Sequence, residues 1–182
     1  GGADADRISG GHGADTLYGD AGADTISGDD DDDRIYGGDG VDLIFGGSGA
    51  DTIYGDGGAD TIVGDDDIDM IYGGADADTI SGGAGADTLM GGAGDDTIMG
   101  GADSDVAVFA GDQAEFTFAS SADGLTITVT EVTTGDADTV TEVETLRFDD
   151  GDIGVSHDGN TLVLTGADGI TDDIKVVGTN PV

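Results

Sequence analysis

From Gly1 to Val108 a nine-residue unit runs twelve times without an insertion or a deletion, and this period constrains the fold more than any other feature of the chain. The first unit is GGADADRIS, the second GGHGADTLY, the sixth GGSGADTIY and the eleventh GGAGDDTIM. The sixth place is always Asp: Asp6, Asp15, Asp24, Asp33, Asp42, Asp51, Asp60, Asp69, Asp78, Asp87, Asp96 and Asp105. The first place is always Gly, and the eighth is Ile or Leu in eleven units, giving way to Ala107 in the last. A fixed period predicts a solenoid, in which each unit packs only on its neighbours.

The chemistry of the unit divides it in two. Glycines at places one to four allow the dihedrals of a tight turn, which the Asp closes. Places seven to nine form a very short strand that turns its middle residue inward and the outer two to solvent. Two units then make one coil, with two parallel sheets facing each other. The density of glycine excludes helix.

Successive coils of a parallel solenoid stack about 4.8 Å apart, so turns eighteen residues apart lie over one another: Asp6 over Asp24, Asp15 over Asp33. Two carboxylates at that spacing repel by about 3 kcal/mol at an effective dielectric near 20, and the column repeats the penalty at every step. The array has 26 aspartates and only Arg7 and Arg34 to set against them, so the compensating cation must come from outside. Bent loops offer carboxylates and backbone carbonyls, a donor set that suits calcium with its flexible six- to eight-fold oxygen coordination. Magnesium demands a stricter octahedron. Zinc prefers nitrogen or sulfur, and the chain has no Cys and only His12 and His157.

The GGxGxDxUx pattern of residues 1–108 resembles the RTX (repeats-in-toxin) calcium-binding nonapeptide, known as a β-helix repeat. The resemblance implies an all-β fold, a right-handed parallel β-roll, in which each ion lies between loop n and loop n+2 and is held by the Asp of both and by carbonyls of the first four places. Two columns of six loops leave five gaps each, hence up to about ten calcium ions. It also implies a module that stays unfolded at low cytosolic calcium, passes through a type I secretion apparatus led by an uncleaved C-terminal signal, and folds outside. The expected location is therefore secreted, with the cell surface an alternative, and the expected role is to support secretion and stability of a larger extracellular protein. Residues 152–182 are where part of the secretion signal would lie.

Some units depart from the pattern. Place two is Asp in Asp20, Asp29, Asp56 and Asp65, and place four is Asp in Asp4, Asp31, Asp67, Asp76 and Asp103. Asp tolerates left-handed dihedrals better than most residues, so the turn survives; the extra carboxylates either join the coordination or face water. At the outward ninth place Tyr18, Tyr36, Tyr54 and Tyr72 recur eighteen apart, and Thr recurs at the seventh. In-register stacking of β-formers accounts for this. A second function stays open, in which the Tyr or Thr face binds a polysaccharide, a protein partner or ice.

After Val108 the period stops, and residues 109–182 read as a small antiparallel β cap over the open solenoid end. Strands are expected at Glu115–Ala119, Leu125–Val132, Thr139–Phe148, Thr161–Thr165 and Ile174–Val177, separated by turns at Ala122–Gly124, Gly135–Asp136, Asp150–Gly151, Asp158–Gly159 and Asp168–Gly169. Leu125, Ile127, Val129, Val140, Val143, Leu146 and Phe148 are the candidate cap core, with Ala107 where the roll narrows into it. DVAVFAGD and residues 135–151 resemble the segment that follows the last repeat in secreted RTX proteins.

With 41 acidic and 4 basic residues the formal charge is −37, which repels nucleic acid and anionic membranes. No apolar run reaches the roughly 20 residues of a membrane span. The chain opens inside a repeat without Met, as a fragment of something longer would. No nucleophile–base pair, zinc motif or phosphate loop is present, and every close pair of carboxylates is accounted for by the repeat. Catalysis is not expected.

Overall fold

The protein, seen as a computed structural model, is described over residues 1–121, 125–158 and 161–166. It is a parallel β-roll. Each nine-residue unit contributes one strand: β1 (Arg7–His12), β2 (Thr16–Ala21), β3 (Thr25–Asp30), β4 (Arg34–Asp39), β5 (Leu43–Ser48), β6 (Thr52–Gly57), β7 (Thr61–Asp66), β8 (Met70–Ala75), β9 (Thr79–Ala84), β10 (Thr88–Ala93), β11 (Thr97–Ala102) and β12 (Val106–Val108). Odd strands pair in parallel in one sheet and even strands in the other. The register is eighteen residues throughout, as in Ile26 over Ile44 and Ile35 over Ile53.

Strands β1 to β11 are six residues long, longer than the three expected. The ladder runs on past place nine: in β8 and β10, Gly74 pairs with Gly92 and Ala75 with Ala93. Glycine-rich backbone can still pair even where it carries no side chain to pack, so within each strand only place one drops out of the register.

Place eight forms the core. Ile26, Ile35, Ile44, Ile53, Ile62 and Ile71 are wholly inaccessible, and the column continues through Ile80, Leu89 and Ile98 to Ala107. Ile8 and Leu17 are only partly buried because no coil covers them. On the outer face of the even sheet the four tyrosines stack with ring centroids 4.8–5.0 Å apart and planes within 3–6°.

The chain then makes an excursion and returns to both sheets. A 3₁₀ turn (Gln113–Glu115) leads into β13 (Phe116–Ser120), which pairs antiparallel with β14 (Thr126–Glu131). β14 pairs antiparallel with β15 (Ala137–Thr141), and β15 lies parallel on β11. β16 (Thr145–Phe148) lies parallel on β12, followed by antiparallel β17 (Gly151–Asp158) and β18 (Thr161–Gly166). The terminal segment thus extends both sheets of the roll. Among the described residues there is no α-helix.

Three sequence expectations need correction. The run Thr139–Phe148 is two strands in different sheets, because the chain crosses from one sheet to the other at Glu142–Glu144. Leu125 is 63% exposed rather than in the cap core, lying just before β14, whereas Ile127, Val129, Val140, Val143, Leu146 and Phe148 are buried. Gly151–Asp158, where the sequence suggests two turns and no strand between them, forms β17, paired by β16 on one side and β18 on the other, a strand that its glycines disguise. Phe109, Phe116, Phe118 and Phe148 pack ring against ring at 5.1–5.8 Å beside the last coil. The expected strand Ile174–Val177 and the turns Ala122–Gly124, Asp158–Gly159 and Asp168–Gly169 lie wholly or partly outside the described residues.

Candidate metal centre

The turns stack as the strands do, and they carry the twelve sixth-place aspartates into two columns. In one, each Asp N–H donates to Oδ1 of the Asp eighteen residues on, from Asp6 to Asp24, Asp42, Asp60, Asp78 and Asp96, at 2.7–2.8 Å. In the other the same bond links Asp15, Asp33, Asp51, Asp69, Asp87 and Asp105 at 2.7–2.9 Å. Each carboxylate from Asp24 onward spends one oxygen on the turn of the coil before it.

The second oxygen has no such use. In all ten aspartates from Asp24 to Asp105 Oδ2 is buried without a hydrogen-bond partner, in residues no more than 4% exposed. Buried polar atoms are nearly always satisfied, so ten orphaned carboxylate oxygens in register mark a missing partner. Asp6 and Asp15, on the uncovered coils, are half-buried.

Burial acts on the charge as well. Desolvation lifts Asp60 and Asp69 to about 7 and Asp51, Asp78 and Asp105 to about 6, with neighbouring carboxylates adding to the rise and the donated N–H opposing it. Asp33, Asp42, Asp87 and Asp96 shift the same way, again first through desolvation.

Carbonyl oxygens converge on the same places. A Cβ built on Gly64 would overlap Asp69 Oδ2 and lie 2.5 Å from the Gly82 carbonyl oxygen; on Gly73 it would overlap Asp78 Oδ2 and lie 2.6 Å from Gly91 O. Place one is therefore Gly because a side chain there would occupy the cradle between a carboxylate and the next coil's carbonyl. Among the described residues no three His, Cys, Asp or Glu side chains converge. A cation here would take its remaining donors from backbone, which suits calcium and does not suit zinc.

Gly64→Ala is expected to destabilise the calcium-saturated protein by about 1–3 kcal/mol, as overpacking against fixed backbone does. Gly57→Ala, where the nearest atom is 3.7 Å from the added Cβ, should change stability by less than about 0.5 kcal/mol. Denaturant unfolding of both variants checks this.

The extra aspartates keep the turn, as their left-handed φ of 71–81° shows for Asp20, Asp29, Asp31, Asp56, Asp65, Asp67, Asp76 and Asp103. Their side chains are exposed except Asp29, which accepts bonds from Ser9 and Ser27. His12 Nδ1 lies 2.6 Å from Asp30 Oδ2 at the surface, away from the columns. Arg34 sits 6.0 Å from the Tyr54 ring.

Two residues outside the repeats continue the columns. Asp96 N–H donates to Asp138 Oδ1, and Asp105 N–H to Glu144 Oε2, both at 2.9 Å. The signal was present in the sequence: Ala137-Asp138-Thr139-Val140 repeats the Ala-Asp-Thr-Ile of a unit, and Glu144-Thr145-Leu146 its Asp-Thr-Leu. Without the preceding glycines it does not stand out.

A family model described as the RTX calcium-binding nonapeptide repeat, built of four copies, matches residues 1–35, 36–71 and 72–107. Among solved structures, the extracellular lipase LipA from Serratia marcescens is similar, with a TM-score of 0.53 and 24% identity over 62% of this chain and 18% of that one. That likeness is one of fold, and the chain spans less than a fifth of the lipase's length. A search of the curated proteins found no match.

Proposed function

Because this chain belongs to the RTX calcium-binding nonapeptide repeat family, we propose that its two Asp columns hold calcium between successive turns and that the chain folds as it binds the ion outside the cell. The observation that carries this is the run of ten buried, partnerless Asp Oδ2 atoms, each beside a place-one glycine and nine of them with a carbonyl oxygen against the same glycine. The ligands are Asp6 through Asp105 at every ninth residue, with carbonyls of places one to four, and five gaps per column give up to about ten ions. When bound, calcium supplies the positive charge that the stacked carboxylates lack. Ten ions would bring the formal charge from −37 to −17. Residues 1–108 form the binding roll and 109–182 its terminal cap.

Coupling of metal to folding follows from the desolvated carboxylates, which resist burial while unpaired. Such a module stays extended where calcium is scarce, travels through a type I secretion apparatus and becomes rigid outside, supporting a larger extracellular protein; the similarity to an extracellular lipase is consistent with that setting. The role is structural and regulatory rather than catalytic. Circular dichroism through a calcium titration, with magnesium as control, tests it.

The Tyr ladder supports a second reading, recognition of a polysaccharide, protein partner or ice. Its stacked rings cover one another's faces, leaving edges and hydroxyls for a ligand, beside an open depression lined by Tyr18, Tyr36, Asp20, Asp39 and Asp56. In this reading Tyr36→Ser with Tyr54→Ser abolishes retention on immobilised polysaccharide while calcium-dependent folding persists. Equal retention of variant and parent chain rejects it.

A further inference from the structure

Beyond Val108 the nine-residue period is gone, yet both columns of carboxylates go on. β15 lies on β11 with Thr139 over Thr97, and β16 on β12 with Thr145 over Val106. Asp138 and Glu144 therefore stand where place six stands in every unit. The backbone repeats the same bonds: Thr139 N–H donates to Asp96 O at 2.7 Å, as Thr97 N–H does to Asp78 O at 2.8 Å.

Two further observations point to a ligand at this junction. Asp96 Oδ2 and Asp105 Oδ2 are buried without a partner, in residues 1% and 0% exposed. At Gly100, a Cβ would lie 2.6 Å from Asp105 Oδ2 and would overlap the Glu142 carbonyl oxygen outright. Glu142 O thus occupies the position that Gly82 O and Gly100 O hold beside Gly64 and Gly82. Glu142 does so with a φ of 53°, uncommon for a residue with a long side chain.

We propose that the segment after the repeats supplies the last calcium ligands of both columns, Asp138 opposite Asp96 in one, and the Glu142 carbonyl with the Glu144 carboxylate opposite Asp105 in the other. This rests on calcium being held between the stacked repeat turns, and it adds one step to each column. The cap then does more than cover the open core. It fastens β15 and β16 to the last coil through metal, so roll and cap order together.

A simpler role for Asp138 and Glu144 is to accept the Asp96 and Asp105 N–H bonds and nothing more. Asp138→Asn and Glu144→Gln separate the two, since each keeps the acceptor oxygen and removes the charge. Bound calcium per full-length chain is counted by equilibrium dialysis for the parent, each single variant and the pair, with circular dichroism at saturating calcium to confirm that β structure is retained. The expected result is one ion fewer in each single variant and two fewer in the pair. Stoichiometry and affinity equal to the parent's overturn the proposal and leave calcium binding by the roll intact. A parent chain that binds no calcium overturns instead the function on which the proposal rests. Hydrogen exchange on the parent chain needs no variant: residues 137–147 should gain protection only as calcium is added, and full protection in chelator overturns the proposal.

Discussion

In excess chelator at neutral pH the chain is expected to give the circular dichroism of a coil, and calcium to convert it cooperatively to β structure, with magnesium ineffective at the same concentrations. The metal-free roll would bury ten carboxylates whose Oδ2 atoms have no partner, on a chain of formal charge −37. Leaving a buried charge uncompensated costs several kcal/mol, and this roll repeats that cost at every coil. One aliphatic side chain per unit is a thin core to set against it. Asp51→Asn and Asp69→Asn should each move the calcium midpoint upward by about tenfold or more, the effect of losing roughly 1.4 kcal/mol, because each carboxylate faces a neighbour on both sides of its column. A chain already rich in β structure in chelator would sink the switch and leave the solenoid standing.

Acid should substitute in part for calcium. The unfolded chain titrates its aspartates near 3.9, whereas burial holds Asp60 and Asp69 at about 7 and Asp51, Asp78 and Asp105 at about 6 in the roll. Between those limits the folded state binds more protons than the unfolded one, so its stability falls as pH rises. The metal-free roll is therefore favoured below about pH 4, loses stability through the window from about 4 to 7, and above that carries the whole penalty, roughly 4 kcal/mol for a group such as Asp69. The expected result is β structure in chelator at acidic pH that melts on neutralisation, and calcium affinity that falls as protons compete below pH 7. Asp69→Asn should flatten the metal-free pH dependence, while Asp66→Asn, at an exposed position, should not. Metal-free β content that is constant from pH 4 to 8 would refute the argument.

Within residues 1–108 the sequence was enough to derive the geometry. A unit that packs only on copies of itself makes tertiary contacts that are its own local chemistry repeated, so the period alone placed Ile53 over Ile35 and Asp51 over Asp33. The inward place eight followed in the same way, but the reason for glycine at place one did not. The left-handed turn dihedrals expected there occur at places two and four, and at place one it is the closeness of a carboxylate and a carbonyl that admits no side chain. The strand length did not, since pairing by glycine backbone leaves no mark in side-chain pattern.

Outside the repeats that equivalence between sequence distance and contact ends. Asp138 meets Asp96 across 42 residues and Glu144 meets Asp105 across 39, where every earlier step spans 18. Nothing in the spacing of residues 109–136 says that the chain will leave the roll, form the β13–β14 hairpin and come back in register. That return is decided by where β15 and β16 find unpaired sheet edges and an open core, so it exists only once the last coil is folded.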